Sequence, residues 1–328
     1  LIAAAIASKK SLSMKKELGI GILLIVVCAL AYAKNNRFLS PYNVQNQAQI
    51  IGMYGIFSIG MGIVIITGGI DLSVGSAFAL QGVVLSIMLR EWNWPWPWAA
   101  LAAIAGMVLL GVIHGYLIAG LNLQSFIVTL CGLLIYRGAA RYIAHDDTKG
   151  FGSESFGWLR PMAEGHLWHI PMPFIIMLVA AAISFVVLHR SIYGRYLFAV
   201  GRNEEAARYS GINTKLVIGS AYALSMLLAG ISGILFAFYT NSISPSNHGT
   251  FYELYGIAAA VLGGCSLRGG EGSIIGILLG TALLQVLQNL VNLLGIPSSL
   301  NFAVMGTVIL VGVMIDELLG KRLNKGKR

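Results

Sequence analysis

Residues 46–76 read NQAQIIGMYGIFSIGMGIVIITGGIDLSVGS, and this stretch decides the fold. From 46 to 66 it holds no charged residue and is long enough to cross a hydrocarbon core as a helix, for which about 20 apolar residues suffice. Thr67-Gly68-Gly69 then breaks the run, because paired glycines permit a tight backbone path. Asp71 or Ser73 is placed to accept hydrogen bonds from the free N–H groups of a second apolar helix that starts near residue 74. Capping explains both residues, and it holds even if the segment from Gly68 to Ser73 also acts as a gate.

The rest of the chain repeats the pattern. Of 328 residues 57% are hydrophobic and 11% are charged, against roughly 25% charged in a soluble globular protein. The mean hydropathy of +0.78 and 40 glycines fit a chain solvated by lipid, where glycine lets helices approach closely. Further apolar runs predict helices at about 18–33, 74–89, 97–120, 123–142, 172–189, 215–238, 254–265, 273–295 and 300–318, in addition to 46–66. The expectation is an all-α, polytopic integral membrane protein of about ten transmembrane helices. Its parts are a cytoplasmic N-terminal segment (1–17), a membrane domain (18–318) containing a cytoplasmic segment at 190–215, and a basic tail (319–328). No space remains for a catalytic domain of ordinary size. The run from Leu1 to Ala7 is too short to span and lacks the leading charges of a signal peptide; Met14 reads as the start, and residues 1–13 are given no functional weight.

With the N-terminus inside, fifteen of the 22 Lys and Arg fall on the cytoplasmic side, at Lys9–Lys16, Arg190–Lys215, Arg268 and Lys321–Arg328. Six fall outside, at Lys34, Arg37, Arg90, Arg141, Lys149 and Arg160, and Arg137 lies within a helix. This bias places both termini in the cytoplasm. It also argues against nucleic acid as a partner, since the charge is spread over loops and tails instead of forming one face. Trp92, Trp94, Trp96 and Trp98 read as an interfacial belt on the outer side, with a sugar-stacking platform as the alternative. His166 and His169 could place two metal ligands on one helical turn, but no third ligand is evident, and no metal or other cofactor is expected. Cys28, Cys131 and Cys265 have no C-x-x-C partner and read as free thiols in or beside apolar helices.

Polar residues inside spans are costly and usually face a bundle interior or a water-filled path. Gln285, Gln288, Asn289 and Asn292 fall at i, i+3, i+4 and i+7, on one face of the ninth helix. Four uncharged amides suit a neutral polyol or sugar and are candidates for a translocation path; helix-to-helix hydrogen bonding is the equal alternative. Gln81 and His114 are isolated intramembrane polar residues that packing explains more readily. Carboxylates that could couple transport to protons or sodium are few: Asp71, Glu253 near an outer helix end, and Asp316 with Glu317 at the cytoplasmic end of the last helix. No G-x-x-x-x-G-K-[ST] occurs, so the chain by itself offers no P-loop for ATP and is not expected to be an enzyme.

The cytoplasmic stretch from Gly194 to Ile212, GRYLFAVGRNEEAARYSGI, predicts a short helix capped by Asn203, with Glu204 and Glu205 in its first turn, Ala206 and Ala207 as a small-residue surface, and Gly211 at its end. With the segments Thr67–Ser76, Phe126–Leu130 with Arg137-Gly138, and Glu253–Ser273, it resembles the permease subunits of ribose-type ABC importers, a family that also serves xylose, arabinose and galactose. The resemblance covers about residues 18–318. Tyr255, Ala260 and Cys265 depart from the usual pattern without disturbing it. It implies a bacterial inner-membrane protein that works as a permease dimer, identical or paired with a paralogue, with an ATPase subunit inside and a periplasmic sugar-binding protein outside. By the same resemblance Asn203, Glu204, Glu205, Ala206, Ala207, Arg208, Ser210 and Gly211 form the coupling helix that enters a cleft of the ATPase. Rival readings are an ABC permease for a branched-chain amino acid, which predicts intramembrane charge pairing, a secondary transporter, and a non-transporting scaffold.

Overall fold

The computed structural model of the protein describes residues 2–297 together with 300, 303, 306, 307 and 310, with side chains from residue 17 onward. The helices are α1 (Ile2–Lys34), α2 (Pro41–Ile66), α3 (Val74–Arg90), α4 (Trp96–Gly115), α5 (Ser125–Ala144), α6 (Leu159–Glu164), α7 (Met172–Phe185), α8 (Ile192–Arg202), α9 (Glu204–Tyr209), α10 (Thr214–Thr240), α11 (Tyr252–Leu262) and α12 (Ile274–Leu293). α4 and α7 each end in a π-helical turn, at Tyr116–Gly120 and Val186–Arg190. Strands β1 (His166–Leu167) and β2 (Ile170–Pro171) form a small outer hairpin. Among the described residues, seven helices are long and apolar enough to span: α1 from Glu17, α2, α4, α5, α7, α10 and α12, while α3 and α11 are apolar but shorter. The predicted all-α multi-pass architecture is what the chain adopts. Most of the tenth predicted helix (300–318), including Asp316 and Glu317, and the tail 319–328 lie outside the described residues.

α2 and α10 are buried over most of their length, whereas α1, α4, α5 and α7 turn most of their surface outward. Hydrophobicity cannot cause this sorting, because lipid is as apolar as leucine; close helix approach depends on small residues. A Cβ on Gly52 of α2 would lie 2.5 Å from the backbone of Pro173 and Phe174 at the start of α7, and one on Gly60 would lie 2.9 Å from Ser225 of α10. Gly111 and Gly115 of α4 meet Tyr222 and Gly219 of α10 in the same way.

The outer cations Arg90, Arg141, Lys149 and Arg160 each pair with a carboxylate: Glu154, Asp146, Glu91 and Glu164. The Arg141 hydrogen bond at 2.6 Å holds the exposed Asp146 carboxyl below its usual range.

The helix predicted at 254–265 forms as the short α11, and the path the chain takes to it departs from the prediction. α11 has only eleven residues, about 16 Å at the helical rise of 1.5 Å per residue, half of a hydrocarbon core. The chain reaches its start by descending from the outer end of α10. Along α3, Ile243 packs at Gly82, and Gly249 and Glu253 pack against Gly75, so the segment drops by about 10 Å between those levels. Glu253 is therefore a buried residue well below the outer end of α3, where the sequence placed it near an outer helix end. An aromatic cluster pins the position: Tyr252 lies 4.9 Å from Phe236, 5.1 Å from Tyr54 and 6.0 Å from Phe78, measured between ring centroids.

The helix approaches carry a direct expectation. Gly111→Leu must displace Tyr222, Ala223 and Met226, whose atoms would lie 2.6 to 2.9 Å from the new Cβ, and should destabilise the protein by about 1–3 kcal/mol. Gly106→Leu on the same helix meets nothing within 4 Å and should leave the melting temperature in detergent unchanged.

Candidate coupling and translocation sites

The cytoplasmic segment forms the predicted short helix. Asn203 caps α9, its Oδ1 accepting from Ala206 N–H at 2.9 Å. The helix closes through Gly211, in the left-handed region at φ 83°, with Ile212 N–H donating to Ala207 O at 3.1 Å. Burial separates the two alanines. Ala207 is buried against the bundle, while Ala206 faces outward with Asn203, Glu204, Glu205, Arg208 and Ser210. Tyr209 is 83% exposed, a large aromatic side chain held out from a six-residue helix, and the sequence reading passed over it.

α8 leads into α9 and ends on a backbone junction. A Cβ on Gly201 would collide with Ile66 O and sit 2.6 Å from Gly270 N. Gly270 N–H donates to Ile66 O at 2.8 Å. Gly269, at φ 81°, has its Cβ position 2.9 Å from Gly68 N. Three segments far apart in sequence, the break after α2, the end of α8 and the loop between α11 and α12, thus meet main chain to main chain.

The Gly68–Ser73 break is itself tightly held. Asp71 is fully buried; its Oδ1 accepts from Ser73 N–H at 2.9 Å and from Ser73 Oγ at 2.7 Å. Asp71 thus binds the backbone and hydroxyl of Ser73, the residue that leads into α3, and neither side chain accepts from the free N–H groups of the helix itself, so the predicted capping does not form. Tyr222 of α10 donates to Ile70 O at 3.3 Å, and Ser125 and Thr129 of α5 bind Ile70 N and O. Asp71 Oδ2 lacks a hydrogen-bond partner among the described residues and lies 4.0 Å from His114 Nδ1. His114 Nε2 and Tyr136 OH are 2.8 Å apart. His114 is therefore not isolated, as it reads in the sequence, but belongs to a buried polar cluster spanning α4, α5 and the break. Gln81 donates to Gly230 O at 3.0 Å, between α3 and α10.

The four amides of α12 do not share one environment. Asn289 is buried and exchanges two hydrogen bonds with Asn43 of α2, at 2.8 and 3.1 Å. Gln285 is buried, Gln288 is half-buried and Asn292 is exposed. For Asn289 the geometry is that of helix-to-helix bonding.

The descending connection contributes polar groups that the sequence did not single out. Arg137 Nη1, on α5, donates to Pro245 O at 3.1 Å and His248 O at 2.8 Å. Ser246, Asn247, Thr250 and Phe251 are exposed, and Phe251 holds a φ of 67°, unusual for a bulky side chain. The signal available in the sequence was an unpaired intramembrane arginine followed, a hundred residues later, by SISPSNHGTF.

Outside the membrane, His166 lies in β1 and His169 at the hairpin turn, so they are not stacked on one helical turn as their spacing allowed. Trp92, Trp94 and Trp98 are exposed, whereas Trp96 packs on Gly157.

The sequence profile of the family described as branched-chain amino acid transport system / permease component matches residues 43–313. The chain is 38% identical over 304 residues to the ribose import permease protein of Escherichia coli (strain K12), covering 90% of this chain and 92% of that protein. It is 38% identical to the ribose import permease protein of Bacillus subtilis (strain 168), covering 92% and 91%. To the galactofuranose transporter permease protein of Escherichia coli (strain K12) it is 32% identical, covering 89% and 83%.

The Asn43–Asn289 pair separates a packing role from a path role. Asn289→Leu alone leaves the half-buried Asn43 without its partner across the helices and should cost about 1 kcal/mol, whereas Asn43→Leu with Asn289→Leu should recover much of that loss. A double-mutant cycle on thermal unfolding in detergent reads the coupling.

Proposed function

The chain belongs to the family of branched-chain amino acid transport system permease components, and we propose that it is the membrane subunit of an ATP-driven importer that carries a monosaccharide across the bacterial inner membrane. Relatives that match over nine-tenths of the chain carry the names of ribose import permeases. The proposed partners are a second permease, a separate ATPase on the cytoplasmic side and a sugar-binding protein on the outer side.

The observation that carries the mechanism is the backbone junction beneath α9. Asn203, Glu204, Glu205, Ala206, Arg208, Tyr209 and Ser210 present an outward face for the ATPase, with Ala206 leaving room for a close approach and Gly211 ending the helix. Ala207 faces the permease and holds α9 on the bundle. Displacement of α9 moves α8, and Gly201 transmits it to Ile66 O and Gly270 N without intervening side chains. Rotameric slack is absent from such a contact, so motion reaches the α2–α3 break at Gly68 and Gly69 and the α11–α12 loop together. Asp71 and Ser73 keep the start of α3 intact while the break moves. The amides Gln285, Gln288 and Asn292 remain path candidates, whereas Asn289 is committed to Asn43.

The branched-chain amino acid reading has one observation in its favour: Arg137 and Glu253 both lie within the membrane near the descending segment, so intramembrane charge is present after all. Glu253 is 6% exposed and packs on Gly75, which withholds its carboxylate from a passing zwitterion and favours the neutral solute.

Two measurements test this function. The full complex in proteoliposomes should take up D-ribose or another pentose only with its ATPase and ATP; uptake without the ATPase refutes it. Ala206→Trp should lower binding-protein-stimulated ATP hydrolysis at least tenfold while the chain still inserts, and unchanged stimulation would remove α9 from the docking role.

A further inference from the structure

The segment 244–251 is irregular backbone at membrane depth. Its lower end lies at the level of Gly75, fifteen residues along α3 from Arg90, about 22 Å below the outer end of that helix. Its anchor Arg137 lies seven residues from the end of α5 at Ala144, about 10 Å down. Non-helical backbone at that depth persists only where protein covers it or water wets it. Here it is exposed on one side, through Ser246, Asn247 and Thr250.

The chemistry of that side favours water over a dry protein contact. Among the described residues, Asn247 and Thr250 make no side-chain hydrogen bond, and Arg137 commits only Nη1, to Pro245 O and His248 O. Burying an amide, a hydroxyl and half a guanidinium without partners costs several kcal/mol in an apolar medium. The buried Nε2 of His248 also lacks a partner. Glu253, whose carboxylate interacts electrostatically with Arg137, is itself buried and is not offered on this face.

From this we propose that residues 244–251, braced by Arg137, form the wetted wall of the solute path, and that Asn247, Thr250 and the remaining guanidinium N–H groups of Arg137 hydrogen-bond a neutral polyhydroxylated solute as it crosses. The solute class rests on the importer reading above; the wetted wall does not. This wall stands apart from the amides of α12, whose buried member Asn289 is tied to α2. Amide and hydroxyl groups both donate and accept, so they exchange partners with sugar hydroxyls at little net cost. A path supplied by a separate binding protein needs only such weak contacts.

The test uses the full chain in nanodiscs, which expose both membrane faces, with Cys28, Cys131 and Cys265 replaced by alanine. Asn247→Cys and Thr250→Cys should react with a charged methanethiosulfonate at least tenfold faster than Leu109→Cys, an exposed position on the outward surface of α4. Rates no faster than Leu109→Cys would mean that lipid or a second copy seals the segment, and would overturn the proposal. In the reconstituted complex Asn247→Leu should lower D-ribose uptake at least tenfold while binding-protein-stimulated ATP hydrolysis continues; unchanged uptake would remove the solute contact. A wild-type complex that takes up no monosaccharide fails the importer reading alone, because the labelling rates judge the wetted wall separately.

Discussion

One hydrogen bond, from Gly270 N–H to Ile66 O at 2.8 Å, with Gly201 pressed against the same carbonyl, sets much of what the cytoplasmic half of this protein can do. It joins three segments that lie 66, 201 and 270 residues along the chain, and it leaves no space for a Cβ at the contact. A side-chain contact at that junction would absorb small displacements by rotamer change. A main-chain contact cannot, and under the proposed mechanism it ties α8, the α2–α3 break and the α11–α12 loop together. The outward face of α9 is the exposed end of that unit.

The second constraint is the solvent. In lipid every backbone polar group needs an internal partner, and this explains why the interrupted helices of the fold are so heavily braced. The break before α3 is held by Asp71, Ser125, Thr129 and Tyr222. The descent before α11 is held by Arg137 and by the aromatic cluster around Tyr252. In both places an apolar helix is shortened, the freed backbone is satisfied by a neighbouring helix, and polar groups come to lie where lipid would otherwise be.

Much of this was legible along the chain. Apolar length located the spanning helices, and the Asn203 cap with Gly211 at φ 83° delimited α9. What could not be read locally were pairings across long separations. Ala206 and Ala207 are identical in sequence terms, yet only one faces outward, because the docking angle of a six-residue helix is set by α8 and the bundle. Asn289 looked like a path residue because a stripe of amides has the same signature whether it meets a sugar or, as here, Asn43 of another helix. His114 looked isolated because Asp71 and Tyr136 come from other elements. The segment before α11 looked like an outer loop because its descent depends on α3, where Gly82 meets Ile243 and Gly75 meets Gly249, each far away in sequence.

By itself the sequence determined that the protein lives in a membrane as helices with a short capped helix between spans, and its motifs carried the family. These follow from hydropathy, charge and local capping, which act over a few residues at a time. The tertiary structure alone decided which intramembrane polar groups bind one another and which make no hydrogen bond among the described residues. That choice depends on the meeting of distant helices, and in lipid close meetings are governed by where glycine lets two backbones touch.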